Sequence, residues 1–142
     1  MTEEPRRPVP CVGVVCLKGR DVLLIRRGKP PKLGQWSIPG GRMEWGETAA
    51  AAALRELHEE TGVQAELLGL IDVVDLITGP DDRESGAGHA VLIDYAARWL
   101  SGEPTAGDDA AEARFWPFAE ALALVEWNET RRIITLARER LG

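Results

Sequence analysis

One predicted helix, over residues 48–62, constrains the fold of this chain most strongly. Thr48 is suited to be its N-cap, the alanine run that follows favours helix, and Gly62 is suited to end it. Apolar residues recur along it at helical spacing, so one face should pack against a sheet. Those residues are Ala50, Ala53, Leu54 and Leu57.

Stretches rich in aliphatic and β-branched residues lie on both sides of this helix. Residues 10–17 and 21–26 predict a hairpin whose turn is 18–20. The other predicted strands are residues 36–39, 65–78 with a bend near Gly69, 89–100 and 113–116, and helices are predicted over 118–124 and 128–141. Strands interrupted by one central helix and closed by a final helix predict an α/β fold, with a mixed sheet between helical layers.

Length and charge limit the classes of partner. A chain of 142 residues fits one domain, residues 1–142, whose charged and proline-rich first eight residues we expect to be a flexible tail. The net charge of -6 weakens binding to a nucleic-acid polymer or an anionic membrane. An anionic substrate would need local help from a cation held by carboxylates, or from arginines.

The cysteines and the apolar runs indicate a compartment. Cys11 and Cys16 face opposite sides of their predicted strand, which argues against a disulfide between them. The first ten residues lack a signal-type apolar stretch, and no apolar run approaches the roughly 20 residues that span a bilayer. We therefore expect a soluble, cytoplasmic protein without a membrane partner.

Three acids on the helix indicate its chemistry. Glu56, Glu59 and Glu60 occur at i, i+3 and i+4, so their carboxylates share one face and repel each other unless a cation relieves them. Oxygen ligands at this density suit Mg²⁺ or Mn²⁺, which also bind phosphate oxygens. Arg55, four residues before Glu59, is placed to hold that carboxylate in one orientation. The alternative is an ordinary solvated helical face.

The surrounding residues resemble the Nudix box, Gx5Ex7REUxEExGU with U an aliphatic residue, at every fixed position. The matching stretch is GRMEWGETAAAAALRELHEETGV, from Gly41 to Val63. The matching residues are Gly41, Glu47, Arg55, Glu56, Leu57, Glu59, Glu60, Gly62 and Val63. The order of predicted strands and helices from Val9 to Arg140 is also similar to that of the Nudix hydrolase family.

This resemblance implies the Nudix fold, an α/β/α sandwich with a loop-helix-loop metal site for Mg²⁺ or Mn²⁺. It implies that Glu56, Glu59, Glu60 and the backbone carbonyl of Gly41 or its neighbour Gly40 are the metal ligands. One of the glutamates, with Glu59 as the catalytic candidate, or an acid in a later loop would orient or deprotonate the attacking water. Arg55 would position the carboxylates.

Other parts of the site are less constrained by the sequence. Glu47 is expected to stabilise the start of the helix through the helix dipole. We expect the later acid to be Glu112, which directly precedes a predicted strand, and Asp108 and Asp109 are the alternatives. The other interpretation is that these residues form only a solvated acidic loop.

Basic and aromatic residues are candidates for binding the substrate. Arg26 and Arg27, with Lys29, could contact phosphates, although basic residues at a strand end also serve solubility. Trp36, Trp116 and Trp127 could stack on a base, and each has an equally good core explanation.

The resemblance implies a small nucleotide as substrate and a pyrophosphate linkage as the bond that is cleaved. ADP-ribose or a related nucleoside diphosphate sugar is the first expectation, supported weakly by Pro80, which lies beyond the box. A nucleoside triphosphate, in particular an oxidised one, is the alternative, and a nucleotide sensor without catalysis is a third. A homodimer is consistent with the family, but the sequence marks no interface.

Overall fold

The chain begins with the predicted hairpin. The structure, a computed structural model, describes residues 7–30, 32–78, 88–107 and 109–140, so most of the predicted tail lies outside the described residues. Strand β1 (Val9–Lys18) pairs antiparallel with β2 (Asp21–Arg27), in register at Leu17 with Val22.

The remaining elements build one mixed sheet and cover it. Strands β3 (Trp36–Ser37) and β4 (Gly40–Arg42) precede helix α1 (Ala49–Thr61), which is followed by β5 (Gln64–Ile77), β6 (His89–Ser101) and β7 (Ala110–Pro117). Helices α2 (Phe118–Leu124) and α3 (Asn128–Arg140) come last. The sheet order is β3-β2-β1-β6-β5, and the β1–β6 pair is parallel while the other pairs are antiparallel. The predicted mixed sheet is confirmed.

Strand β1 is buried on both faces because helices cover both sides of the sheet. Its even-numbered residues, including Val14, pack with Leu57 of α1. Its odd-numbered residues, including Val15, pack with Ile133 of α3. This alternation produces the helix-sheet-helix layers expected from the sequence.

The structure differs from the predicted strands at β4 and at the start of β7, and it confirms the predicted bend in β5. Residues 40–42, for which no strand was predicted, form β4, which pairs with β1. Strand β7 begins at Ala110, inside the predicted acidic loop, because that segment pairs with β2 from Arg27 onward. Gly69, with φ of 133°, lies at a shift in the β5–β6 register, as the predicted bend required.

The two cysteines are free thiols, and Cys16 is buried among the side chains under α1 while Cys11 is only partly buried. The absence of a disulfide between them is confirmed. Within the described ranges, no helix combines the length and the apolar character needed to cross a membrane.

Helix α1 buries a different stripe from the predicted one. Ala53 and Leu57 are fully buried as expected, but Leu54 is 38% exposed and Ala50 also faces solvent. The buried stripe instead includes Ala52 and, near its end, Glu60. The apolar prediction was wrong for Ala50 and Leu54 because the helix is rotated to bring a carboxylate toward the sheet.

Leu57 and Leu54 provide a matched test of this orientation. Leu57→Ala should lower the free energy of unfolding by about 2–5 kcal/mol, because it leaves a cavity between α1 and the sheet. Leu54→Ala should cost about 1 kcal/mol or less, since that side chain is partly in water. Urea titration of both variants measures the difference, and equal losses would contradict the orientation.

Candidate active site

Both ends of α1 are set by local hydrogen bonds. The Thr48 hydroxyl oxygen accepts from the backbone N–H of Ala51 at 3.1 Å, which satisfies an otherwise unpaired donor of the first turn. Gly62, with φ of 72°, closes the last turn by donating to the carbonyl of His58 at 2.8 Å. The predicted caps are confirmed, and they fix where the helical glutamates emerge.

Arg55 joins several carboxylates around one guanidinium. It holds Glu47 through two hydrogen bonds, from Nε at 2.9 Å and from Nη2 at 2.7 Å. Its Nη1 donates to Glu56 at 2.9 Å and to Glu59 at 3.1 Å. The structure thus brings Arg55 to Glu59 as expected, although its bidentate hydrogen bonding is to Glu47.

Glu47 has contacts that the sequence did not predict, beside its expected place near the start of the helix. Its carboxylate accepts from Arg55 and from the backbone N–H of Glu44 at 2.8 Å. These bonds, that from Arg55 foremost, lower the pKa of Glu47 to about 2. Because Arg55 Nη2 also donates to the carbonyl of Arg42 at 3.1 Å, Glu47 and Arg55 together tie β4 and the loop after it to the helix.

Glu60 is the most deeply buried acid of the helix, with 7% of its surface exposed. The backbone N–H of Gly40 donates to its carboxylate, while Oε2 is buried without a hydrogen-bond partner in the described part of the chain. Burial, and secondly the nearby charge of Glu56, raise the pKa of Glu60 to about 8. The charge of Arg27 lowers that pKa without offsetting the rise, so the ionised carboxylate is costly in this position.

Gly41 makes room for the carboxylate of Glu56. A Cβ at position 41 would lie 2.6 Å from the Glu56 carboxyl carbon and Oε2, so a side chain there would displace it. Burial is the main reason that the pKa of Glu56 is raised, against the lowering effect of Arg55. Gly41 is therefore needed for the close approach of Glu56 to β4.

These acids fit a hard divalent cation. The candidate metal ligands are all oxygen atoms. The carboxylate of Glu56 is half-buried and that of Glu60 is buried, and Oε2 of Glu60 has no hydrogen-bond partner in the described part of the chain. Within the described residues no three acidic, His or Cys side chains already stand in the geometry of a metal site. Glu56 and Glu59 instead pair with Arg55 Nη1, at 2.9 and 3.1 Å.

The loop before β7 brings an acid toward the helix. Gly107 donates to the carbonyl of Glu60 at 2.8 Å, and Thr105 to that of Thr61 at 2.9 Å, so the loop is fastened to the end of α1. Asp109 follows it, lines the same cleft as Glu56 and Glu60, and contributes to raising the Glu60 pKa. Asp108, another alternative from the sequence, lies outside the described residues.

Glu112 lies elsewhere. It is opposite Arg26 in the β2–β7 pair and forms an ion pair with it at 3.7 Å, with 44% of its side chain exposed. Neither residue is part of the cleft lining. The expected loop acid Glu112 and the expected phosphate ligand Arg26 therefore contact each other, and Asp109 is the acid brought to the cleft.

Arg27 and Lys29 do reach the cleft. The charge of Arg27 lowers the pKa of Glu60, and the Lys29 ammonium pairs with Asp109 at 2.9 Å. The cleft thus has basic and acidic groups at the same mouth, which suits a phosphate bound next to carboxylate-held cations.

The cleft continues across the sheet to the α3 side. Its volume is about 690 Å³, within the range of small-molecule sites. Trp36 and Trp127 line it, whereas Trp116 packs edge-on against Trp36 at 5.3 Å and is not part of the lining. The aromatic candidates from the sequence are thereby divided between cleft and core.

Asp94 is a cleft residue that the sequence did not single out. It lies on β6 and is 5% exposed, and burial, with the charge of Asp72, raises its pKa to about 6. The available signal was an acid at the centre of an otherwise apolar strand. Its position facing Gly13 across the parallel pair depends on a register that the sequence does not show.

Known proteins resemble this chain along most of its length. The family model of the NUDIX domain matches residues 7–137. An ADP-ribose pyrophosphatase of Methanocaldococcus jannaschii is 37% identical over 109 residues, 77% of this chain and 62% of that protein. The putative 8-oxo-dGTP diphosphatase 2 of Mycobacterium tuberculosis is 38% identical over 125 residues, 86% of this chain and 83% of that protein.

Solved structures agree in fold. The NUDIX domain of Shewanella oneidensis NrtR complexed with ADP ribose has a TM-score of 0.79 at 26% identity, covering 96% of this chain and 90% of that one. The MutT NUDIX hydrolase from Burkholderia pseudomallei has a TM-score of 0.74 at 29% identity, covering 92% and 98%. The sandwich expected from the sequence is therefore confirmed.

Asp94 should make stability depend on pH in a defined window. Between its ordinary pKa of 3.8 and about 6, the folded state keeps the proton that the unfolded chain releases, so stability falls as pH rises and is level above that window. Asp94→Asn should remove this fall and stabilise the protein by about 1–3 kcal/mol at pH 7.5. Urea titrations of both proteins at pH 4 to 7.5 measure it, and a constant difference across the range would contradict it.

Proposed function

Since the chain belongs to the NUDIX family, we propose that it hydrolyses the pyrophosphate linkage of a nucleoside diphosphate joined to another group. The observation that carries this is the buried, unpartnered carboxylate oxygen of Glu60 beside Glu56, at the mouth of a cleft of nucleotide size. A charged carboxylate buried in this way is costly unless a cation is supplied.

Glu56, Glu59 and Glu60, with the backbone at Gly41, are the residues we propose to hold Mg²⁺ or Mn²⁺. Such a cation, when bound, supplies charge neutralisation for phosphate oxygens. Arg55 would keep Glu56 and Glu59 from moving apart as the cation competes for them. Glu47 in turn holds Arg55, which makes it a positioning residue.

The remaining chemistry belongs to side chains at the mouth of the cleft. We propose that Arg27, and Lys29 beside it, bind the phosphates by charge-assisted hydrogen bonds. Water attacks one phosphorus, the P–O bond to the bridging oxygen breaks, and an ionised carboxylate acts as the base that accepts the proton of the water. Asp109 is the proposed acceptor, because it faces Glu60, and Glu59 is the alternative on the helix.

Two classes of substrate fit this proposal. ADP-ribose or a related nucleoside diphosphate sugar is supported by the archaeal relative and the Shewanella structure, and Pro80, its support in the sequence, lies outside the described residues. An oxidised nucleoside triphosphate is supported by the mycobacterial relative, which is aligned over more of both chains. A sensor without catalysis is disfavoured because every acid of the box is present.

A product analysis tests the proposal. The purified chain with Mg²⁺ or Mn²⁺ is incubated with ADP-ribose, UDP-glucose, diadenosine polyphosphates, dNTPs and oxidised dGTP, and products are identified by mass. AMP with ribose phosphate identifies a sugar-nucleotide hydrolase, and a nucleoside monophosphate with pyrophosphate identifies a triphosphate hydrolase. Binding without any product would leave the sensor as the better description.

Glu60→Gln should lower kcat/KM on the best substrate of that panel at least about 100-fold, because it removes a ligand charge worth several kcal/mol near the phosphates. The fold should persist, since a neutral amide replaces a carboxylate that is already costly to bury. The matched control is Glu66→Gln, an exposed β5 residue paired with Arg98, which should leave turnover unchanged. Full activity of Glu60→Gln at saturating Mg²⁺ would remove Glu60 from the proposed site.

Asp109→Asn should lower kcat by about 10²- to 10⁴-fold, the usual contribution of a group that transfers a proton. Glu112→Gln should have a much smaller effect, because Glu112 pairs with Arg26 away from the cleft. Steady-state kinetics of the two variants at equal metal concentration separate them. The reverse ranking would assign the proton transfer to Glu112.

A further inference from the structure

Asp94 is a buried carboxyl group in the cleft that the proposed hydrolysis does not use. Only 5% of it is exposed, and no side-chain hydrogen bond joins it to another residue within the described ranges. Arg132, the nearby cation, is occupied by Asp72 at 2.9 Å and by Glu129 at 2.8 Å. Asp94 thus presents acceptor oxygens to the cleft without a donor from the protein.

The register places Asp94 at a nucleoside's distance from the proposed cation site. Gly40 donates to Glu60, Gly40 pairs with Gly13 across β4–β1, and Gly13 pairs with Asp94 across β1–β6. Two strand spacings separate Gly40 from Asp94, about 10 Å. A nucleotide whose phosphates lie at Glu60 can therefore extend its base toward Asp94.

The walls near Asp94 suit a flat ring. Trp36, Trp127 and Leu92 line the cleft and are packed against the apolar core under α3. Gly13 makes room for the carboxylate itself, because a Cβ there would clash with Asp94 Oδ1. An aromatic base between such walls would be shielded from water, so its hydrogen bonds to Asp94 would count strongly.

We propose, resting on the proposed hydrolase function, that Asp94 selects the base of the substrate and that this base has the pairing edge of guanine. An ionised carboxylate only accepts hydrogen bonds. Guanine offers two adjacent donors, N1–H and the N2 amino group, which match its two oxygens. Adenine and cytosine place a ring-nitrogen acceptor there, and uracil and thymine place carbonyls on both sides of a single N–H.

The ionised state is the selective one. A neutral carboxylic acid has one donor and one acceptor and could pair with any of the bases, whereas the pKa of about 6 leaves Asp94 ionised at pH 7.5 in the free protein. Guanine oxidised at C8 keeps the same pairing edge. The inference therefore favours the triphosphate class of substrate or a guanosine diphosphate sugar over ADP-ribose.

Substrate pairs that differ only in the base test the inference. The ratio of kcat/KM for dGTP to that for dATP, and for GDP-glucose to ADP-glucose, is measured at pH 7.5 with Mg²⁺. The expected ratio favours guanine by about 10- to 100-fold, the range for a paired set of base contacts. Asp94→Asn should bring both ratios toward one, mainly by lowering guanine turnover, because the amide replaces one acceptor by a donor.

Asp75→Asn is the matched control, since Asp75 is an exposed β5 carboxylate that pairs with His89 and is not part of the cleft lining. It should leave the base ratios unchanged. Turnover with equal rates on both bases, or ratios that Asp94→Asn does not alter, would overturn the inference and leave the hydrolase proposal standing.

A direct binding measurement covers the case in which no substrate turns over, which would contradict the hydrolase proposal itself. Calorimetry with GDP and ADP then compares wild type and Asp94→Asn. Tighter binding of GDP that is lost in the variant would support base selection by Asp94. Equal affinities for GDP and ADP would overturn it.

Discussion

The site depends on the attraction of one guanidinium for several carboxylates. Arg55 contacts Glu47, Glu56 and Glu59, and it also donates to a carbonyl of β4. Without a cation among them, acids one helical turn apart repel, and Arg55 offsets that repulsion while fixing where they point. The strand before the helix, the loop and the acidic face are therefore held as one unit by a residue that need not touch a substrate.

Two buried carboxylates in the cleft, those of Glu60 and Asp94, share the cost of burying a negative charge, but their surroundings differ. Burial raises the pKa of both Glu60 and Asp94, and the charges of Arg27 and Arg132 lower those pKa values without offsetting the rise. The neighbours of Glu60 include Glu56 and Asp109, whose negative charges fit a cation. Asp94 lies among aromatic and aliphatic walls, which fits the N–H donors of a base. In both places, we propose, an incoming ligand offsets the cost of burying the charge.

Local features were predicted well because their causes lie within a few residues. The caps of α1 at Thr48 and Gly62, the hairpin of β1 and β2, and the bend at Gly69 depend on intrinsic backbone preferences. Features that depend on pairing with a distant strand were missed. β4 and the early start of β7 exist because β1 and β2 offer backbone groups with which those segments pair. The rotation of α1 depends on which of its side chains pack against the sheet.

The sequence by itself determined the helix with its capped ends, the acids at metal-binding spacing and the membership of a family, because all of these are read from residue type and short spacing. Tertiary structure decided which of the later acids lies in the same cleft as Glu56 and Glu60. Asp109 and Glu112 are both carboxylic acids and lie close together in the chain. The β2–β7 register pairs Glu112 with Arg26, whereas the loop that is hydrogen-bonded to Glu60 brings Asp109 to the cleft. Asp94 became a candidate only when strand pairing placed it beside Gly13 and buried it, since burial and the absence of a donor are properties of the packed molecule alone.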